Sequence, residues 1–362
     1  MSILIFLAVL FVLVLVHEFG HFITAKWSGM RVDEFGIGFP PRIFSFRRGE
    51  TEYTLNALPI GGFVRIYGEN GEDAITSDTP RAFAHRPRIL QAVVLIAGVT
   101  MNILFAFLLY TTTYITGVMT IVPETERSDA TSLVVTSVLP DSVASKAGLR
   151  SGDTIISLSS PENTAPDLLP SKVSDFIGIH GEKSLMLTYK RSSTEHTAVL
   201  VPHSMEIKGE ETRPRVGFMM GLVEKKSYPF TQAVIEGGKD TYYGLIRIAI
   251  GIGALAYQSV RGTANFSDVT GPIGIAGLVG DASHFGFSAL MTFTAFISLN
   301  LAVINMLPLP ALDGGRLLMV IIEALIRRPL DHRYVAKINM VGFALLLLLM
   351  VVVTTHDIIK LF

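Results

Sequence analysis

Residues 14–27 read VLVHEFGHFITAKW, and this stretch decides how the chain is read. It continues without a break from MSILIFLAVLFVLVLV, so two histidines and a glutamate close an apolar segment of helix length. On a helix, positions i and i+4 share a face. His17 and His21 therefore project together and can hold one Zn2+, with Glu18 beside them as a general base. Ionisable groups inside an apolar span are costly and mark a functional site by default. The alternative reading is a pair of histidines hydrogen-bonded between helices.

The rest of the composition fits a membrane setting. Of 362 residues, 49% are hydrophobic and 17% charged, below the roughly 25% of soluble domains. A net charge of −1 gives nucleic acid no electrostatic footing as a partner. With no cysteine, disulfides and thiolate sites are excluded, and a metal must rest on His, Asp or Glu. The apolar N-terminal run lacks a basic n-region and a small-residue cleavage site, so it is expected to be a retained span and not a cleaved signal.

A bilayer core of about 30 Å needs about 20 apolar helical residues. Four stretches qualify: residues 1–27, 88–119, 287–308 and 334–356. The expected fold class is an α-helical polytopic membrane protein of four transmembrane helices. The loop 28–87 and the segment after Leu309 are rich in Arg and Lys, which places both in the cytoplasm and both chain ends outside it. Within 28–87, VDEFGIGFPPRIFSF and TEYTLNALPIGGFVRIYG alternate apolar and polar residues between Gly/Pro turns, as a membrane-associated β-hairpin would. Residues 230–262 are apolar but carry Glu236, Lys239, Asp240 and Arg247, so an interfacial amphipathic helix is expected. A fifth span is the alternative and would invert the orientation of the later spans. The Gly-rich DVTGPIGIAGLVGD reads as a turn or re-entrant segment.

Residues 131–204 form an inserted α+β block outside the cytoplasm. Its phrase SVASKAGLRSGDTII reads as a short helix stopped by Gly148, a turn through Asp153 and a strand, and it resembles a PDZ domain. That resemblance implies a peptide or protein ligand bound by strand addition, with Leu133 and Val134 at the loop that receives a peptide end.

Catalytic zinc usually has three protein ligands. The third is expected at Asp313 in NMLPLPALDGG, where Pro308 and Pro310 break the third span. Read alone, Asp313 would be an ordinary helix N-cap.

HEFGH in the first span, NMLPLPALDGG after the third, the inserted PDZ-like block and the hairpin together resemble the site-2 protease family, in its bacterial, single-PDZ, regulator-of-sigma-E type. The resemblance implies an intramembrane zinc metalloprotease of the bacterial cytoplasmic membrane with its active site near the cytoplasmic side. Its expected substrates are single-pass membrane proteins: pre-trimmed anti-sigma factors and signal-peptide remnants. It implies zinc on His17, His21 and Asp313, with Glu18 as catalytic base and acid. It further implies substrate contacts from Asn305, from Asn102 of a G-x-x-x-N pattern beginning at Gly98, and from Leu55, Gly61 and Phe63 of the hairpin. Val99 stands where many relatives have proline, and there is room for one PDZ block, not two. A scaffold with a structural metal and a transporter are the competing classes. The first leaves Glu18 without a purpose, and the second requires polar residues spread over more spans than carry them here.

Overall fold

The computed structural model describes residues 2–69, 79–191, 194–205, 213–263, 270–328 and 330–359. In chain order its elements are α1 (Ser2–Trp27), β1 (Val32–Arg48), β2 (Thr51–Ile66), α2 (Arg88–Thr116), β3 (Val118–Val122), β4 (Ser132–Val138), α3 (Val143–Lys146), β5 (Thr154–Ser159), α4 (Pro170–Ile179), β6 (Leu185–Arg191) and β7 (Thr194–Leu200). There follow β8 (His203–Met205), β9 (Arg213–Arg215), β10 (Phe218–Lys226), α5 (Phe230–Val260), α6 (Pro272–His284), α7 (Phe287–Asn305), α8 (Asp313–Ile326) and α9 (His332–Ile359). They form two compact units, one of Met1–Thr111, Val234–Gly280 and Thr292–Phe362, the other of Thr112–Ala233 and Asp281–Met291.

Among the described residues, five helices are long and apolar enough to cross a membrane: α1, α2, α5, α7 and the Tyr334–Ile359 part of α9. Their outward surfaces are strongly apolar; α9 alone exposes Leu345, Leu348, Leu349, Val351 and Val352. Water would not tolerate such a face, whereas lipid matches it.

The helix expected at residues 230–262 is present as α5 (Phe230–Val260). Contacts of α5 step backward along α2: Gly237 lies where a Cβ would meet Thr111 Oγ1 at 2.5 Å, and Gly238 lies near Phe107. Further along, Leu245, Ile248 and Ile252 join Ile103, Ala106, Leu299 and Val303 of α2 and α7 in one apolar cluster. So α5 packs antiparallel along α2. Of its charges, Glu236, Lys239 and Asp240 fall in its first third, with Lys239 paired to Glu236 at 2.8 Å, and Arg247 stands near its middle. Of the expected Gly-rich segment 268–281, residues 268–269 lie outside the described residues, and from Pro272 onward it belongs to the helix α6. Asp357 of α9 accepts from Gly271 N at 3.0 Å and Gly274 N at 2.9 Å, satisfying amides that open this helix.

The hairpin is present, and it curls. Strands β1 and β2 are antiparallel, but Glu34–Ile37 match Gly62–Arg65 on one edge and Glu52–Leu55 on the other. Glu34, 4% exposed, sits at the centre of the curl. It accepts from Thr54 Oγ1 at 2.8 Å and pairs with Arg65 at 2.8 Å, so the buried charge is partnered. At the turn, the Arg81 guanidinium and the Lys26 ammonium hold the Glu50 carboxyl down at about 2. Of loop 28–87, residues 70–78 lie outside the described residues.

The second unit is built on a six-stranded sheet in the order β3-β10-β4-β5-β6-β7. It extends past the expected limits 131–204, because β10 pairs with β4 through Leu222↔Leu133 and with β3 through Leu222↔Val122. Gly117, at φ +109°, stops α2 and turns the chain into β3, which shortens the span expected over 88–119. Leu133, Val135, Leu158, Val173, Leu185, Leu187 and Leu200 form the core under α3 and α4. Ser142 Oγ caps α3 by accepting from Ser145 N at 3.1 Å, and Gly148 follows the helix at φ +80°. The turn after it is fixed by Asp153, 1% exposed, which accepts from Arg150 N at 2.8 Å and from Arg191 through both carboxylate oxygens at 2.7 Å. Asp153→Ala strips an acceptor from Arg150 N and Arg191, and charged hydrogen bonds of this kind contribute about 1.5–3 kcal/mol each. The expected outcome is amide hydrogen exchange at least about tenfold faster in β5 and β6 of the intact protein, with α1 unchanged; equal exchange in both strands would contradict it.

Candidate metal centre

His17 and His21 lie one turn apart on α1, 6% and 8% exposed, while Glu18 between them is half-buried. Asp313 reaches them from the start of α8. His17 Nε2 stands 2.9 Å from Asp313 Oδ2, His21 Nε2 3.3 Å from the same oxygen, and the two Nε2 atoms 3.2 Å from each other. Zinc ligands bound at 2.0–2.2 Å in a tetrahedron stand roughly 3.3 Å apart, so the three atoms already have the spacing of one tetrahedral face.

The proton inventory points the same way. His21 Nδ1 donates to Val94 O at 2.8 Å, which leaves its Nε2 as a lone pair aimed at the carboxylate. Asp313 Oδ2 is buried and accepts no hydrogen bond. Three atoms able to ligate a metal thus meet at one buried point, and two imidazoles with a carboxylate suit Zn2+.

Local sequence explains how the helices come so close. Gly98 of α2 faces the histidines so tightly that a Cβ would collide with His21 Nε2 and approach His17 Cε1 at 2.8 Å. Pro308, Pro310 and Ala311, the last at φ +70°, separate α7 from α8. That connection folds back on α8 so closely that a Cβ on Gly314 or Gly315 would strike the carbonyls of Met306, Leu307 or Leu309. Leu312 takes the N-cap place, which frees the Asp313 carboxylate for the histidines.

Of the other expected site residues, Asn305 ends α7 with its Nδ2 3.5 Å from His17 Nε2. Gly61 and Phe63 belong to the part of β2 nearest α1: a Cβ on Gly61 would lie 3.4 Å from Val14, and one on Gly62 would lie 3.8 Å from Glu18 Cγ. Gly62–Arg65 have β1 on one edge, and no strand covers the other among the described residues.

Four expected residues are placed differently. Leu55 is matched by Ile37 on one edge and Phe44 on the other, so its backbone offers no free edge. Leu133 and Val134 are not in a loop; both are buried inside β4, Leu133 opposite Leu222 and Val134 between Gly221 and Thr154. Asn102 is fully buried and faces a ligand, its amide 3.3 Å from His17 Nδ1. For His17 to offer Nε2 to a metal, Nδ1 carries the proton and Asn102 Oδ1 accepts it. That oxygen has no other partner, and the amide's two ends are interchangeable by rotation. Ser298 Oγ in turn donates to Asn102 O at 2.8 Å. Sequence reasoning missed Val94 and Ser298; a backbone carbonyl and a lone serine give no signal in a single sequence.

Loss of an acceptor behind a ligating histidine weakens metal binding about 10–100-fold. Asn102→Ala is expected to raise the zinc dissociation constant by that factor and Asn102→Asp to preserve it; titration against a chromogenic chelator reads both, and equal affinity for wild type and Asn102→Ala would contradict the assignment.

Comparison with known proteins agrees with this geometry. The family model described as Peptidase family M50 matches residues 5–349. A Clostridium perfringens protein, named provisionally as a zinc metalloprotease, is 35% identical over 96% of this chain and 95% of its own length. The zinc metalloprotease RasP of Geobacillus kaustophilus is 28% identical over 100% of this chain and 98% of its own. A Synechocystis relative, also provisionally a zinc metalloprotease, is 33% identical over 98% of this chain and 94% of its own. With two histidines and an aspartate gathered between its apolar helices, the chain belongs to peptidase family M50 and is a membrane zinc metalloprotease.

Proposed function

We propose that the protein hydrolyses a peptide bond within or near the transmembrane helix of single-pass membrane proteins, among them pre-trimmed anti-sigma factors and signal-peptide remnants, in regulated intramembrane proteolysis. The observation that carries this reading is the set of three metal-binding atoms of His17, His21 and Asp313, 2.9–3.3 Å apart and buried between helices long enough to span a bilayer. Hydrolytic residues have no reason to be placed there unless their substrates are there too.

Zinc, when bound by these three side chains, supplies Lewis acidity toward a water and a peptide carbonyl. Everything else falls to the chain. Glu18 takes a proton from the attacking water at a carboxylate oxygen and passes it to the leaving amine. Asn305, beside the ligands, offers its amide N–H to the substrate carbonyl and steadies charge that develops there. A transmembrane helix hides its carbonyls in its own hydrogen bonds and must unwind before attack. The open edge at Gly62–Arg65, bounded by Gly61 and containing Phe63, lies beside Glu18 and offers replacement backbone bonds to the unwound segment. Leu55 takes no part in that pairing.

In this reading the metal site lies toward the cytoplasmic face of a bacterial inner membrane, with the N-terminus outside. The six-stranded unit acts as an extracytoplasmic PDZ domain, a size gate that admits substrates already trimmed by a first protease. If an untrimmed substrate were cut as fast by the full-length protein as by a variant lacking residues 131–204, the gate would be refuted.

The catalytic assignment is tested by separating metal from chemistry. Glu18→Gln is expected to retain one zinc per chain and to lower cleavage of a model transmembrane peptide by about 10²–10⁴-fold, the usual contribution of a general base. Asp313→Ala is expected to lose the zinc itself. Near-normal cleavage by Glu18→Gln, with metal bound, would remove the glutamate from its role.

A further inference from the structure

We infer that an apolar cleft between α2, α5 and α7 is the pocket that receives a bulky aliphatic or aromatic side chain of the substrate, next to the bond being cut. The inference rests on the protease reading above and adds a selectivity to it. The cleft holds about 380 Å³, walled by Val99 and Ile103 of α2, Ile246 and Ala249 of α5, and Val303 and Met306 of α7. That size is at the low end of ligand pockets, roughly 300–1,000 Å³, and suits a single large side chain better than a whole helix.

Its place argues for a substrate group. Each inner wall is one residue removed from a contact of the metal cluster. Val99 follows Gly98, which lies against both histidines. Ile103 follows Asn102, which faces His17, and Met306 follows Asn305, whose amide is 3.5 Å from the same ring. The lining is apolar throughout, so nothing in it competes for the metal or for a substrate carbonyl. The mouth is open, since Ile246 and Met306 are 38% and 37% exposed. An unwound segment paired along one side of Glu18 projects alternate side chains to opposite faces. One of them, near the scissile bond, is directed past Asn305 into this cleft, where burial of apolar area favours large residues over small.

The test uses the full-length, zinc-loaded protein in nanodiscs with transmembrane peptides that are identical except for Ala, Leu or Phe. The variable residue is stepped through the positions flanking the cleavage site. At one of these, wild type is expected to cleave the Leu or Phe peptide with a kcat/KM about tenfold or more above that for Ala, the range a hydrophobic pocket provides. Ala249→Phe fills the mouth from an exposed position and is expected to bring the Leu-to-Ala ratio toward unity. Ile246→Ala enlarges the cleft and is expected to favour Phe over Leu. Leu348→Phe, on the outward face of α9, is expected to leave the ratio as in wild type. Zinc content equal to wild type serves as the folding check for each variant.

A Leu-to-Ala ratio unchanged in both cleft variants overturns the inference while the protease reading stands; an acyl chain resting in the cleft would give that result. Failure of the wild type to cut any of the peptides overturns both.

Discussion

Three potential metal ligands brought within 3.3 Å of one another, in a buried place, make the constraint on which this structure depends. Two imidazole nitrogens and a carboxylate oxygen repel or ignore each other unless a cation stands between them. In a low-dielectric interior that conflict is sharper than in water. The folded chain therefore carries a local arrangement that metal binding completes, and much of the surrounding sequence serves to hold it. Gly98 lets α2 approach the histidines, and the two glycines after Asp313 let the broken third span fold over its own continuation. Val94 O and Asn102 fix the ring orientations from behind.

The same constraint explains the role of the membrane. Burial between apolar helices gives His17 and His21 fixed positions, each held by a partner on α2. The strand edge at Gly62–Arg65 and the amide of Asn305 stand beside the same cluster: Gly62 is next to Glu18, and Asn305 is next to His17.

Features with strong local periodicity or chemistry are legible in the sequence. HEFGH is readable because a helix puts i and i+4 on one face, and Asp313 because two prolines must interrupt a span. The hairpin shows through its alternation, and the turn at Gly148–Asp153 through its residue types. Less legible are features that depend on the third dimension. Residues 118–122 and 218–226 join the sheet of the second unit, yet they are far apart in the chain and β3 directly follows an apolar helix. The charges of α5, Glu236, Lys239, Asp240 and Arg247, suggest a surface helix, while the contacts of its apolar residues with α2 and α7 leave no mark in the sequence. Motif position alone assigns Leu55, Leu133, Val134 and Asn102 to substrate contacts. It does not reveal which strand edge is already paired or which amide is turned toward a ligand.

The central claim is that one zinc ion is held by two histidines of α1 and one aspartate at the start of α8. X-ray absorption at the zinc edge of the loaded, full-length protein tests it most directly. The account predicts two imidazole ligands and only oxygen besides, at about 2.0–2.2 Å, with one imidazole lost in His21→Ala. A zinc environment with fewer than two imidazoles, or one unaltered by that substitution, would contradict it.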